Sequence, residues 1–191
     1  PDISTLSLHD ALPIYLERDR LEREVEGRAV RMLALRQPMA ADLRNVIAAI
    51  KLSGGIERIG DLAKNIARRS IAVANEDNRT ALRGIERLGQ AVSRMLQVSL
   101  DAYARRDPVA ALGVLDQDDD IDSHYNSLLR AMLRFIAEEP DQIDARSNFI
   151  FIVKNLERIG DHCTNIAKVV HFIATGQRVG DAERTTSPQP E

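Results

Sequence analysis

The chain has 191 residues, 44% of them hydrophobic and 4% aromatic, with no Trp, and a formal charge of −3. That length accommodates one or two small domains with real cores, and the slight acidic balance argues against a nucleic-acid partner, since such binders ordinarily carry a basic excess. The single cysteine, Cys163, excludes an intrachain disulfide and fits a reducing compartment; no apolar run approaches the ~20 residues of a membrane span and no signal peptide is read, so the expectation is a cytoplasmic protein with no membrane span.

Residues 1–14 lack an amphipathic period, and the stretch SLHDALPI resembles the translation of a sequencing-library adapter. They are read as a non-native or disordered leader, with the native frame beginning near Tyr15. From there the vocabulary of Ala, Leu, Ile, Arg and Glu is helical. A first helix is predicted from Tyr15 to Arg36. Gln37-Pro38 ends it, and Pro38 is placed to open a second helix running to Ala74. Asn75–Asn78 form a polar turn. A third helix spans Thr80–Arg106. Asp107-Pro108 reads as a cap followed by a first-turn proline, opening a fourth helix to Glu139. Pro140 breaks the chain, a fifth helix runs from Asp141 to Thr175, and Gly176 ends it. Residues 177–191 read as a disordered tail. No segment alternates as a strand does. The fold is therefore all-α, with short turns and antiparallel neighbours.

The chain repeats itself. Ile56–Arg68 (IERIGDLAKNIAR) and Leu156–Lys168 (LERIGDHCTNIAK) agree at eight of thirteen positions, 100 residues apart. A repeat means one structural unit used twice. The units predicted are 15–75, with two helices, and 76–176, with three. Each repeat carries Glu, Asp and Asn four residues apart: Glu57, Asp61, Asn65 and Glu157, Asp161, Asn165. At about 100° per residue these rows face away from apolar seams made by Ile56, Ile59, Ala63, Ile66 and by Leu156, Ile159, Cys163, Ile166. A charged row opposite a seam is usually a solvated face, and Lys64, Arg68 and Lys168 lie near the same sectors. Solvation alone does not call for Asn at the same place twice. Nor does it call for a helix-interior glycine, Gly60 and Gly160, before each Asp, at roughly 1 kcal/mol each. Such glycines point to close approach by a packed helix or a ligand.

The fourth helix adds Asp118 and Asp122, on the side of Ile121, Tyr125 and Leu129. Carboxylates facing a core need pairing or a cation. If the fourth and fifth helices pack side by side, Asp118, Asp122, Glu157 and Asp161 face one another as an all-oxygen site for a hard ion or a di-iron centre. Helix-end solvation and pairing with arginines is the alternative. His162 points about 100° away from Asp161, and His124 and His171 are read as structural or surface residues. Cys163 is read as a small core residue.

At LALRQPMAADLR (33–44), the two ERIGD…NIA segments and DQDDDIDSHYNSLLRAML (116–133), the chain resembles the PhoU family of phosphate-signalling proteins, over roughly Tyr15–Gly176. The resemblance implies two tandem three-helix bundles, the first here lacking its first helix. It implies a cytoplasmic regulator between the ATPase subunit of a phosphate ABC transporter and a sensor histidine kinase, restraining phosphate-starvation signalling. It also implies metal ions, Mg, Mn or Fe, held by paired acidic motifs. Those motifs fall here on Asp118, Asp122, Glu157 and Asp161, with Asn165, and on Asp19, Glu57 and Asp61, with Asn65. The pattern asks for an acid where Tyr15 stands. With a helix missing from the first bundle, association of chains, as a homodimer, is expected through that half.

No nucleophile–base pair, phosphate loop or nucleotide fingerprint is read, which favours a non-enzymatic adaptor. The alternatives are a metal-dependent phosphohydrolase using the carboxylates and a structural bundle with a solvated acidic face.

Overall fold

The structure, a computed structural model, describes residues 8–73, 79–138 and 143–179. These form five helices and, among the described residues, no strand: α1 (Leu8–Arg36), α2 (Ala40–Ala72), α3 (Arg79–Arg105), α4 (Pro108–Glu138) and α5 (Ile143–Thr175). α3, α4 and α5 pack on one another as a three-helix bundle; α1 packs on α2; and α2 packs on α5, joining the halves. No helix is long and apolar enough to cross a membrane, among the described residues.

The helix ends follow local chemistry. Asp107 Oδ1 accepts from the Val109 and Ala110 N–H groups at 2.9 and 3.0 Å, satisfying two donors that an N-terminus leaves open. Gly176 stands at φ 78°, donating to the Phe172 carbonyl at 2.8 Å, the left-handed stop that glycine permits. The α1–α2 turn departs from expectation. Gln37 takes φ 44°, Met39 is the extended cap, and α2 starts at Ala40 rather than Pro38. The proline thus shapes the turn and stays outside the helix. α1 begins at Leu8 rather than Tyr15, so part of the stretch read as a leader is helical. The predicted turn at 75–78 and break at Pro140 lie outside the described residues, as does the tail from 180.

The core lies mostly in the second half. Phe149, Ile152, Val153, Cys163, Ile166 and Val170 of α5 are all at most 2% exposed, because three helices cover α5. Burying each large aliphatic or aromatic side chain contributes about 1.5–3 kcal/mol. The α5 seam holds as predicted. The α2 seam holds in part: Ile59 is buried and Ile66 packs against the core, but Ile56 is 42% exposed and Ala63 is exposed. α2 is covered by α1 and α5 alone among the larger packings, which leaves one flank of its apolar stripe uncovered.

Candidate functional site

α4 and α5 run side by side, and their acids meet across the seam. Asp118 feels the charges of Asp122 and Asp161, and Glu157 those of Asp161 and Asp122. Burial first, then these like charges, pushes both the Asp118 and Glu157 carboxyls above the usual range, against the opposing pull of Lys168 on Asp118 and of Lys154 and Arg158 on Glu157. The Tyr125 phenol is raised by burial and by the same acids, Glu157 and Asp122, so it borders the cluster. Asp118 is half-buried and Asp122 exposed, so only the first of the pair faces inward as expected. Gly160 faces α4 at this seam: a Cβ there would stand 3.4 Å from Ile121 Cγ2 and 3.8 Å from Asp118 Oδ1, ordinary contacts that a methyl group would tolerate.

The donor set is all oxygen, which suits a hard cation, and Asp118 and Glu157 hold their protons more firmly than usual, first through burial and then through their acidic neighbours. Among the described residues no three His, Cys, Asp or Glu side chains already converge on one metal-holding point.

The first row is arranged differently. Asp19, Glu57 and Asp61 gather around the Arg18 guanidinium. Its Nη2 lies 2.7 Å from Asp19 Oδ1 and 3.6 Å from Glu57 Oε1, and its Nη1 lies 3.0 Å from Asp61 Oδ1. Nη1 also donates to the Glu57 carbonyl at 3.1 Å. Burial of Glu57, then Asp61 and Glu22, raises its carboxyl affinity despite Arg18. Arg18 was missed in the sequence because a lone arginine beside an acid is commonplace there. Neither asparagine joins its carboxylates. Asn65 accepts from Arg68 at 3.3 Å, and Asn165 borders a groove against α2.

That groove, about 470 Å³, is lined by Arg44, Lys51, His162, Lys168 and Arg178 above Ile166 and Phe172. Burial and the neighbouring Arg158 and Arg58 lower the His162 pKa. The groove's cations are scattered along α2, α5 and the residues just after α5 among unlike neighbours, so sequence reading did not collect them. His171 ties the α5 end down, Nδ1 to the Gln177 carbonyl at 3.1 Å, in keeping with a structural role.

The family model described as PhoU domain matches residues 14–70 and 85–170, one segment around each repeated motif. The chain belongs to the PhoU family. A Caulobacter vibrioides protein described as phosphate-specific transport system accessory protein PhoU homolog is 45% identical over 174 residues, spanning 91% of this chain and 73% of the relative. A Zymomonas mobilis protein of the same description is 46% identical over 168 residues, spanning 88% and 71%. The crystal structure of PhoU from Pseudomonas aeruginosa superposes with a TM-score of 0.83 at 36% identity, covering 88% of this chain and 81% of that one. The PhoU regulatory protein from Streptococcus pneumoniae gives 0.75 at 26%, covering 86% and 77%. These likenesses agree with the all-α bundle architecture described above.

Proposed function

We propose that this PhoU-family chain is a non-enzymatic accessory regulator of phosphate transport, acting in the cytoplasm between the ATPase subunit of a phosphate ABC transporter and a sensor histidine kinase. The relatives' described role in the phosphate-specific transport system supports the first half of this reading. The α4–α5 acids carry the rest. Asp118, Asp122, Glu157 and Asp161 form a crowded anionic seam between two helices of the complete bundle, and a divalent Mg, Mn or Fe ion relieves that repulsion when bound. A bound ion would supply the positive charge that this seam lacks. These carboxylates would hold it, with Tyr125 bordering them. A surface whose state depends on an ion can bias which partner docks. Chains associate through the uncovered flank of the first half.

Metal content of the purified protein is the test, comparing wild type with Asp118→Ala/Asp161→Ala. Stoichiometric metal lost in the double variant is expected. Its complement is a pull-down of the transporter ATPase and the kinase with and without divalent cation. Retention of neither partner under any condition would remove the adaptor role, and phosphomonoester turnover abolished by Asp161→Ala would replace it with hydrolysis.

A further inference from the structure

The two repeats place their glycines identically but meet them with different side chains. Gly160 is approached from α4 by Ile121, 3.4 Å from where a Cβ would stand. Gly60 is approached from α1 by Arg18, whose Nη1 lies 2.6 Å from the corresponding point. Gly60 and Gly160 are the same position of the repeated segment. Arg18 and Ile121 therefore hold equivalent places, one cationic and one aliphatic. From that place one guanidinium reaches Asp19, Glu57 and Asp61, every acid of the first row.

We infer that Arg18 is the resident counterion of the first repeat, seated where a metal ion would have to sit, so that the chain takes up divalent cation at the α4–α5 seam alone. The guanidinium matches the task. It is planar, always charged, and can bond several oxygens at once. Its side chain is 18% exposed against 53% for Asp61, so it is the inner member of the cluster. Burial opposes its charge, but the bonds to Asp19 and Asp61 outweigh this and hold its proton more firmly than usual. An ion entering this site must expel a cation already hydrogen-bonded to the Asp19 and Asp61 carboxylates and ion-paired with Glu57. The same ion entering the second seam displaces none from that position. The duplicated scaffold thus holds one internally neutralised site and one open site. The arginine pins α1 onto α2 without any ligand.

The inference rests on the proposed metal reading only for the occupancy of the second seam, and Mn2+ binding separates the two. Asp122→Asn/Asp161→Asn disables the second seam. In that background, binding of Mn2+ by titration calorimetry should be absent. Adding Arg18→Ile, the residue found at the equivalent place, should restore about one Mn2+ per chain, lost again with Glu57→Gln. The same Arg18→Ile chain should melt lower in EDTA and recover with Mn2+, a readout independent of any activity. Mn2+ bound to the Arg18-containing background and lost with Glu57→Gln would overturn the inference. So would no gain in either Arg18→Ile or Arg18→Gln when both keep the helical circular-dichroism spectrum, the Gln variant serving where Ile fails to fold. A wild-type chain that binds no Mn2+ counts against the second seam, and the Arg18→Ile arm still decides the first.

Discussion

At the scale of single residues, the fifth helix buries its thiol completely. Burial, chiefly, pushes the Cys163 pKa up to about 12 from the ordinary value. Native protein should therefore resist thiol reagents at neutral pH, with labelling only as fast as unfolding. The unfolded thiol ionises near its ordinary value while the folded one stays protonated. The native state then binds more protons, so stability falls as pH rises from about 9 toward 12. Cys163→Ala should flatten that alkaline decline in a melting series. The glycines give a second prediction. Gly160→Ala meets only ordinary contacts and should gain up to about 1 kcal/mol from helix propensity. Gly60→Ala must displace Arg18 from its bonds and should gain little or nothing. Urea denaturation ranking the Gly60 variant at or above the Gly160 variant would contradict this.

At the scale of elements, α4 depends on its first turn and on what faces its acids. Asp107→Ala leaves two amide donors without a partner and should cost about 1 kcal/mol in chemical denaturation. Further along, Asp118 and Glu157 carry raised carboxyl affinities. A raised acid destabilises the fold as pH climbs past its ordinary range, because the folded state must surrender a proton it favours. Metal-free protein should accordingly melt higher at mildly acidic than at neutral pH, and Asp118→Asn should raise the neutral melting temperature in EDTA. Added Mn2+ should lift wild type most at neutral pH and progressively less on acidification, since protons compete for the same oxygens. The Asn variant should lose most of that lift. An Asn variant that melts lower in EDTA would mean that Asp118 is structurally paired rather than crowded.

How much of this was legible follows from packing. The acid rows and their glycines were visible because four-residue spacing fixes a helix face whatever surrounds it. The α5 seam was visible too, since a helix covered by three others buries all of its apolar stripe. The α2 seam misled at Ile56 and Ala63, because periodicity tells which face is apolar and not whether a neighbour covers it. Arg18 was invisible because its role depends on which residue of α1 meets Gly60, a register between helices that spacing within one helix does not set. The basic groove is likewise a product of how α2 and α5 lie together.

At the scale of the whole molecule, the duplication has produced unequal halves, and the inequality lies in what is covered. α3, α4 and α5 share one core and expose apolar side chains more sparsely, Val109 at 76% and Phe151 at 45% among them, whereas the shorter α1–α2 pair leaves more of them in water: Leu35 is 76% exposed, Val30 61% and Ile71 63%. Single exposed apolar residues are ordinary, but several along one helix pair form the kind of surface that associates. The self-association expected of this protein should therefore map to α1–α2 and spare α3–α5. Light scattering across a concentration series should show mass rising above that of one chain. Val30→Glu together with Leu35→Glu should return it toward a single chain while circular dichroism and Mn2+ uptake stay unchanged, because neither residue touches the α4–α5 seam. Unaltered mass in that double variant would place the contact elsewhere. Parallel loss of Mn2+ uptake would show that the halves are coupled through α2–α5, so that covering the first half tunes the open site of the second.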